Sequence, residues 1–340
     1  MTTDKPTYQF FVGIDVSKAT LDATLIDQQA HKIAYQQFAN SPQGMIGLSQ
    51  WVSQHLPQSS LRSVLYCMEH TGLYSRNLMH YLVDQQAHVW LEHPLQINQS
   101  MGLQRGKTDK ADSYRIARYA HHFATQARCL KSYDPALETL QDLLTARNRH
   151  LLALNQLKTA YQELLQLAPT SANLLSTAQQ QAQAGLLESL KLIQEQIRLW
   201  VNRHHHLWQQ AQLAQSIKGL GQYTVLWLMV YTRNFDAEFS ARRIAALVGV
   251  APYRHQSGSS VQKGTHTSQF AHLKLKALLH MAALNAIRFN EPLKAYYQRK
   301  VAEGKAKMLV INNVRNKLLH QLVAVIRQGK PDQMTAMPKA

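Results

Sequence analysis

The stretch YQFFVGIDVS, residues 8–17, is an apolar run whose apolar part ends at Asp15. Aromatic and β-branched residues dominate this run, which is typical of a buried strand. Two further stretches, LDATLID (21–27) and KIAYQQFAN (32–40), bring polar and apolar residues close to alternation. We interpret the three stretches as an antiparallel meander whose first strand ends in an acid.

Helices and strands alternate after the meander. Ser41 and Pro42 mark the start of a helix over 41–56, because serine favours the N-cap and proline the first turn. Strands are predicted over 62–69 and 87–93, and helices over 73–85 and 109–123. The resulting order, β-β-β-α-β-α-β-α, is that of a ribonuclease H-like α/β domain, which we place at residues 1–130.

Residues 131–213 are predicted to form a helical arm. Apolar side chains recur at spacings of three and four from Leu186 to Ala211, which is typical of a heptad seam, and 136–167 show a weaker repeat. The segment APTSANL, with Pro169, separates the two. We expect a long antiparallel coiled coil that braces a domain or pairs with another subunit. His204 lies on the seam and is expected to pack there, although the run His204–His206 superficially suggests a metal site.

The last part of the chain is predicted to be a compact, mostly helical domain over 214–330. Within it, the stretch APYRHQSGSSVQKGTHTS (251–268) is interpreted as a long polar loop. Residues 331–340 are expected to be disordered.

The charge of the chain is concentrated near its C-terminus. The chain has a net charge of +17, yet residues 1–125 have 10 basic and 9 acidic side chains. Residues 215–330 have 18 basic and 4 acidic side chains, a net charge of +14. Such a local excess favours nucleic-acid binding over a merely solvated basic surface.

The two cysteines, Cys67 and Cys129, argue against a disulfide framework and for a reducing compartment. No signal peptide is evident, and the longest apolar run, VLWLMVY (225–231), is too short to cross a bilayer. We therefore expect a cytoplasmic protein without a membrane partner.

Four carboxylates are placed to converge. Asp15 and Glu69 end strands that are neighbours in a ribonuclease H-like sheet, while Asp109 and Asp112 share one face of a helix. Four such acids would repel each other unless a cation intervened, and two Mg²⁺ ions would serve. Two structural alternatives remain open: an Asp after a strand often caps a turn, and an Asp-x-x-Asp pair often makes solvated ion pairs. The stretch VGID (12–15) also resembles a phosphate loop of actin-like sugar kinases, although a second such loop is missing.

Basic residues surround the acids and would hold a phosphate backbone. In the stretch RGKTDKADSYRIARY (105–119) these are Arg105, Lys107, Lys110 and Arg115. A second candidate contact is IKGLGQYT (217–224), which resembles the hairpin of a helix-hairpin-helix element. Lys218 and the backbone N–H groups of Gly219 and Gly221 would meet a phosphate there, although a simple turn would look the same.

Several stretches together resemble the DEDD transposases of bacterial insertion sequences, the family that also includes the Piv site-specific DNA invertase. In the N-terminal half the likeness is carried by FVGIDVSKATLDATL, MEHTGLYSRNLMHYL and GKTDKADSYRIARYA. In the C-terminal half it is carried by IKGLGQYTVLWLMV, ALVGVAPYRHQSGSS and HLKLKALLHMAALNAIRFN. The resemblance spans nearly the whole chain, with the stretches in the family's order.

The resemblance implies a RuvC-like N-terminal domain whose catalytic tetrad is Asp15, Glu69, Asp109 and Asp112. It also implies a transposase domain with a nucleophilic serine, which matches Ser257. The Gly-Asn pair that often follows in the family is absent here. If the loop register differs, the nucleophile is Ser259 or Ser260 instead of Ser257. Arg254 and Lys263, which flank this serine, are expected to contact nucleic acid.

We therefore expect an RNA-guided DNA transposase or recombinase that exchanges strands with Mg²⁺ and a serine nucleophile. The resemblance implies donor and target DNA and a structured bridge or seeker RNA as partners. Self-association into a dimer or tetramer would use the coiled coil and the transposase domain. The alternatives are a site-specific invertase of the same family, a RuvC-type nuclease that uses water, and a non-catalytic nucleic-acid-binding protein.

Overall fold

The chain divides into two compact units, Met1–Tyr133 and Asp134–Ala340. The computed structural model describes residues 7–70, 72–100, 108–130, 132–236, 239–251, 253–257, 261–266 and 272–332. The first unit ends close to the predicted boundary at residue 130. The helices of the predicted arm and those of the predicted transposase domain belong together to the second unit. Residues 333–340, most of the tail expected to be disordered, lie outside the described residues, as do Arg105 and Lys107.

A five-stranded mixed sheet forms the centre of the first unit. Its strands lie in the order β3-β2-β1-β4-β5, in which β1, β2 and β3 are antiparallel neighbours and β4 and β5 run parallel to β1. The strands are β1 (Phe10–Val16), β2 (Thr20–Asp27), β3 (Lys32–Ala39), β4 (Val64–Glu69) and β5 (His88–Glu92). The predicted meander is confirmed, as is the prediction that the strands carrying Asp15 and Glu69 are neighbours.

The helices of the first unit cover both faces of this sheet. They are α1 (Pro42–His55), α2 (Leu73–Asp84), α3 (Pro94–Ser100) and α4 (Asp109–His122), with short 3-10 turns at Gln58–Ser63 and Ala124–Gln126. The predicted start of α1 is confirmed, because the Ser41 hydroxyl accepts a hydrogen bond from the Gly44 N–H at 3.2 Å. Helix α3 was not predicted; it is only seven residues long and follows β5 almost directly.

The second unit is mostly helical. Its helices are α5 (Pro135–Leu167), α6 (Pro169–Arg203), α7 (His205–Gln215), α8 (Gln222–Tyr231), α9 (Ala241–Leu247), α10 (Leu273–Phe289), α11 (Glu291–Ala302) and α12 (Lys307–Gln328). The buried faces of the first half of α5 and the end of α6 share one apolar core with helices α7 to α12. The paired helices α5 and α6 are therefore anchored in the core that holds the rest of the unit.

Helices α5 and α6 pair in antiparallel fashion. The Trp200 indole N–H donates to the Ala136 carbonyl at 2.8 Å, and the Gln179 amide donates to the Leu157 carbonyl at 2.7 Å. Ala168 is the sole residue between them, and Pro169 begins α6 instead of lying in a separating segment. Proline fits there because the first turn of a helix does not use its N–H.

The predicted seam from Leu186 to Ala211 is interrupted at His204, which corrects the expectation of one continuous helix. His204 adopts an extended backbone (φ −103°, ψ 95°), so α6 ends at Arg203 and α7 begins at His205. The expected packing of His204 is confirmed: its ring lies 4.4 Å from that of Trp200, and its Nδ1 bonds the Trp200 carbonyl at 2.8 Å.

The stretch interpreted as a long polar loop contains a two-stranded antiparallel sheet, which corrects that interpretation. Its strands are β6 (Tyr253–Ser257) and β7 (Val261–His266). Ser257 is the last residue of β6 and pairs with Val261, the first residue of β7. Polar strand residues with little alternation concealed this hairpin from the sequence pattern. None of the helices in the described part of the chain combines the length and apolar character that a bilayer span requires.

Candidate metal centre and nucleic-acid contacts

Asp15 and Glu69 come to the same edge of the sheet because their strands are parallel neighbours. Ile14 of β1 is in register with Met68 of β4, so the acid that follows each of them lies at the end of the same pair of strands. Across the meander, Asp15 lies directly opposite a further acid, Asp22 of β2. The strand pairing thus places three acids at one place on the sheet.

Helix α4 reaches these acids because glycine allows it to touch the sheet. A Cβ atom on Gly13 would lie 2.1 Å from the Ala117 nitrogen and 2.3 Å from the Ser113 carbonyl oxygen, so the helix backbone rests directly on β1. A buried hydrogen bond of 2.8 Å between the hydroxyls of Thr24 and Ser113 joins the same helix to β2. Both contacts fix the first turn of α4 beside the strand that carries Asp15.

That first turn carries Asp109 and Asp112. Thr108 caps the helix by accepting from the Ala111 N–H at 3.2 Å. Carboxylates are favoured at this end of a helix because unpaired N–H groups and the helix dipole are positive there. The two acids therefore stabilise the helix locally as well as facing the sheet, and Asp112 is 7% exposed while Asp109 is exposed.

Arg115 partly neutralises the acids. Its guanidinium lies 3.0 Å from the Asp112 carboxylate and 3.9 Å from the Glu69 carboxylate. Its Nε is buried and has no hydrogen-bond partner among the described residues. The sequence pattern assigned Arg115 to phosphate binding, but in this structure its side chain is directed at the carboxylates.

The negative charges of the acids affect the pKa of Asp15. Burial, together with the negative charges of Asp112, Asp109, Glu69 and Asp22, raises the pKa of Asp15 to about 6, and burial is the largest cause. The four predicted acids are therefore brought together, with Asp15 at the focus of their repulsion. We refer to Asp15, Glu69, Asp109 and Asp112, with Asp22, as the acid cluster.

Asp22 is the member that the sequence reasoning missed. It is 2% exposed and accepts hydrogen bonds from the Tyr35 hydroxyl at 2.5 Å and from the Gln37 amide at 3.1 Å. The available signal was an acid within an otherwise apolar strand, since such an acid must find partners when it is buried.

The donor chemistry of the cluster fits a hard divalent cation such as Mg²⁺, which binds carboxylate oxygens. Among the described residues, no three His, Cys, Asp or Glu side chains are grouped closely enough to form a ready-made metal site. A cation would nevertheless relieve the repulsion that raises the pKa of Asp15. By this electrostatic test the acids present fit a divalent metal.

Lysines and a tyrosine lie next to the acid cluster. The ammonium groups of Lys110 and Lys32 lie 5.1 and 5.2 Å from the centre of the Tyr35 ring, whose hydroxyl bonds Asp22. Lys110 was predicted as a nucleic-acid contact, whereas Lys32 and Tyr35 on β3 were not. Cations beside an aromatic ring suit a nucleotide strand, which offers both phosphates and stacking bases.

The predicted glycine turn has two different halves. Gly219 adopts φ +113°, and a Cβ there would lie 2.6 Å from the Ala286 Cβ, so packing against α10 explains this glycine. Gly221 has no described atom near its Cβ position and caps α8 without a side chain. Lys218 is exposed in the same turn. Packing accounts for Gly219, while Lys218 and Gly221 remain open to a ligand.

The remaining predicted contacts lie in the β6–β7 hairpin. Arg254 and Ser257 belong to β6, and Lys263 of β7 is in register with His255. The side chains of this hairpin lie outside the described residues. The nucleophile assignment and these two basic contacts therefore stay predictions.

Comparison with known proteins gives family matches in both halves of the chain. Residues 12–169 match the DEDD transposase of the IS110 type, and residues 211–298 match the transposase family IS116/IS110/IS902. Pilin gene-inverting proteins from Moraxella lacunata and Moraxella bovis are each 29% identical over 335 residues, which cover 94% of this chain and 97% of theirs.

A solved structure, T. thermophilus RuvC in complex with a Holliday junction substrate, also matches. It is 14% identical, and the match covers 36% of this chain and all of RuvC with a TM-score of 0.28.

Proposed function

The chain belongs to the IS110 family of transposases, and on this basis we propose that it is an RNA-guided DNA recombinase with an acidic metal site and a serine nucleophile. It is an enzyme that cuts and recombines DNA. The observation that carries the metal part of the proposal is the convergence of carboxylates where β1 and β4 end, since Asp15 lies opposite Asp22 and Arg115 contacts both Asp112 and Glu69.

Asp15, Glu69, Asp109 and Asp112 would hold two Mg²⁺ ions. When bound, Mg²⁺ would supply Lewis acidity that activates the attacking oxygen and stabilises the leaving oxygen of a phosphodiester. Arg115 would hold the Asp112 and Glu69 carboxylates in place through its two ion pairs. Lys110 and Lys32, beside Tyr35, would seat the DNA strand next to the acids.

The serine step is a transesterification. The Ser257 oxygen loses its proton and forms a bond to phosphorus, while the bond from phosphorus to one ester oxygen breaks and that oxygen leaves with a proton. The phosphoserine link conserves the energy of the broken bond, so strand exchange needs no nucleotide cofactor. Ser257 is the last residue of β6 and pairs with Val261 of β7.

Partners follow from charge and surface. The net +14 of residues 215–330 supports binding of donor and target DNA and of a structured guide RNA. Self-association would use α5 and α6 as a coiled coil. Leu167 and Leu174, 85% and 83% exposed where α5 meets α6, support this, because a second subunit would cover them.

A second candidate function is site-specific DNA inversion. The observation in its favour is that the two inverting relatives match 94% of this chain. Inversion and transposition would use the same strand cutting and differ in the arrangement of the DNA sites.

The deciding experiment is a trap for the covalent adduct. Purified protein is incubated with labelled DNA, guide RNA and Mg²⁺, denatured and run on a gel. We expect an adduct that Ser257→Ala abolishes, while Ser259→Ala and Ser260→Ala serve as matched controls and retain it. DNA cut to free ends without any adduct would instead identify a nuclease that uses water. Loss of the adduct in a control variant, with Ser257→Ala still active, would move the nucleophile along the hairpin.

A further inference from the structure

Two basic side chains of the second unit place their charged groups over the faces of aromatic rings. The Arg147 guanidinium of α5 lies 3.4 Å from the centre of the Tyr223 ring, and the Lys274 ammonium of α10 lies 3.3 Å from that of Trp227. Tyr223 and Trp227 are four residues apart on α8, so their rings share one face of that helix. Three helices thus bring two positive charges side by side.

Among the described residues, neither Arg147 nor Lys274 forms an ion pair with an acid. Burial and, to a smaller extent, the positive charge of Arg147 lower the pKa of Lys274 to about 8. The Arg147 Nε is buried and finds no hydrogen-bond partner among the described residues. A buried donor left without a partner is destabilising, so an anion at this place would be stabilising.

Aromatic packing alone does not account for this arrangement. Long basic side chains often cover aromatic rings, and the ring faces attract the cations. That attraction explains each contact separately. It does not explain why Arg147 and Lys274 are held close enough to repel each other, nor why the Arg147 Nε is left unpaired.

The start of α8 contributes to the same place. Tyr223 belongs to the first turn of α8, where N–H groups lack intrahelical partners, and the cap residue Gly221 has no side chain to satisfy them. Free N–H groups at a helix start favour an anion, above all a phosphate. Lys218, exposed in the preceding turn, adds a further positive charge nearby in the chain.

We propose that Arg147 and Lys274, at the start of α8, form a binding site for a backbone phosphate of a nucleic acid. The ligand class rests on the proposed function, since a recombinase must hold nucleic-acid strands away from the phosphate that it cuts. Arg147 would present its guanidinium edge to two phosphate oxygens, as its planar donors allow. Lys274 would add a point charge, and the rings would fix both side chains in position.

The test measures how the affinity for short RNA and DNA oligonucleotides depends on salt. Each lost phosphate contact lowers the slope of log affinity against log salt by about 0.9 for duplex DNA and about 0.7 for single strands. We expect this decrease in Arg147→Gln and in Lys274→Gln. Lys274→Arg keeps the positive charge and should therefore have the slope of the unmodified protein. The matched control is Arg198→Gln, because Arg198 is exposed on α6 and paired with Glu195 at 2.5 Å; its slope should equal that of the unmodified protein.

A second measurement uses inorganic phosphate alone. At fixed ionic strength, phosphate should raise the melting temperature of the unmodified protein and of Arg198→Gln, but not that of Lys274→Gln. Unchanged slopes in both site variants, or an equal change in Arg198→Gln, would overturn the proposal. A phosphate effect with unchanged slopes would also overturn it, because the site would then serve free phosphate and not nucleic acid.

Failure of this site and failure of the recombinase proposal are distinguishable. Changed slopes together with no covalent adduct would keep the phosphate site and remove the serine chemistry. Unchanged slopes with a normal adduct would do the reverse.

Discussion

The acid cluster of the first unit and the two basic side chains Arg147 and Lys274 of the second, here called the cation pair, present the same physical problem with opposite signs. In each, like charges are held close enough to shift a pKa: that of Asp15 rises to about 6 and that of Lys274 falls to about 8. Burial is the larger cause in both, and neighbouring like charge adds to it. Such an arrangement persists at a cost unless a counter-ion arrives.

The two places differ in what stabilises them while no counter-ion is bound. The acid cluster has an internal cation, Arg115, paired with Asp112 and Glu69, and both carboxylate oxygens of Asp22 accept hydrogen bonds. The cation pair has aromatic faces instead of acids. A site with a built-in opposite charge suits a small ion that must be positioned accurately. A site of aromatic rings and half-buried positive charge suits a strand that must be held and released.

We therefore expect the acid cluster to serve bond breaking and the cation pair to hold the strand. The largest expected effect tests this division of roles. Asp112→Asn should lower DNA cleavage by roughly 10³-fold or more, since a metal site contributes several kcal/mol and each 1.36 kcal/mol is a factor of ten. Its affinity for DNA should stay within a few-fold. Cleavage assays and fluorescence anisotropy on the same preparation measure both quantities.

The control for that prediction is Asp84→Asn in the same unit, because Asp84 ends α2, does not belong to the acid cluster, and accepts a hydrogen bond from the Tyr133 hydroxyl at 3.1 Å. It should cleave normally. Normal cleavage by Asp112→Asn would contradict the proposed role in cleavage and would make the acid cluster a structural feature.

The next effect concerns the packing that assembles the acid cluster. Gly13→Ala places a methyl group 2.1 Å from the α4 backbone, so the helix must move away from β1 and take Asp109 and Asp112 with it. We expect a loss of about 3 kcal/mol in the free energy of unfolding, measured by urea denaturation, together with lost cleavage.

Gly185→Ala is the matched control for Gly13→Ala. Gly185 lies within α6, and no described atom lies within 4 Å of its Cβ position. Alanine there should stabilise the chain by roughly 0.5–1 kcal/mol, because a helix interior disfavours glycine. Similar results for the two substitutions would contradict the close packing of α4 on β1.

Local patterns predicted the sheet and the convergence of the four acids for a physical reason. The apolar run of β1 and the near-alternation of β2 and β3 are patterns that strands produce, and acids at strand ends converge because parallel strands end at one edge. Asp15 and Glu69 were found in this way. The arrangement of α4 could also be anticipated, since Asp109 and Asp112 share a helix face.

Other features depend on contacts that no local pattern encodes. The cation pair joins Arg147 and Lys274 through rings on a third helix, so nothing near either residue in the sequence signals it. Asp22 was overlooked because its partners, Tyr35 and Gln37, lie on the next strand. The seam through His204 looked continuous, because spacing records which side chains align and not whether the backbone between them stays helical.

The smallest expected effect concerns the stability that the acid cluster costs. Asp15 binds its proton more tightly in the folded chain, where its pKa is about 6, than in an unfolded chain, where the ordinary value is 3.8. The protonated acid therefore favours folding below the ordinary value, and this contribution is lost as the pH rises through about 6. Above that pH the charged carboxylate opposes folding.

Asp15→Asn removes this charge and tests whether it destabilises the folded chain. Without metal, the variant and the unmodified protein should differ little at pH 4, and the variant should become the more stable by about 1 kcal/mol at pH 8. That value is discounted from the full pKa shift because the carboxyl is partly exposed to solvent. Adding Mg²⁺ at pH 8 should stabilise the unmodified protein and reduce or reverse the difference, since a cation bound only by the folded state shifts unfolding by mass action. Melting curves at the two pH values, with and without Mg²⁺, measure all four quantities. A constant difference across pH would show that Asp15 is not the focus of repulsion, and an equal Mg²⁺ effect on both proteins would place the metal elsewhere.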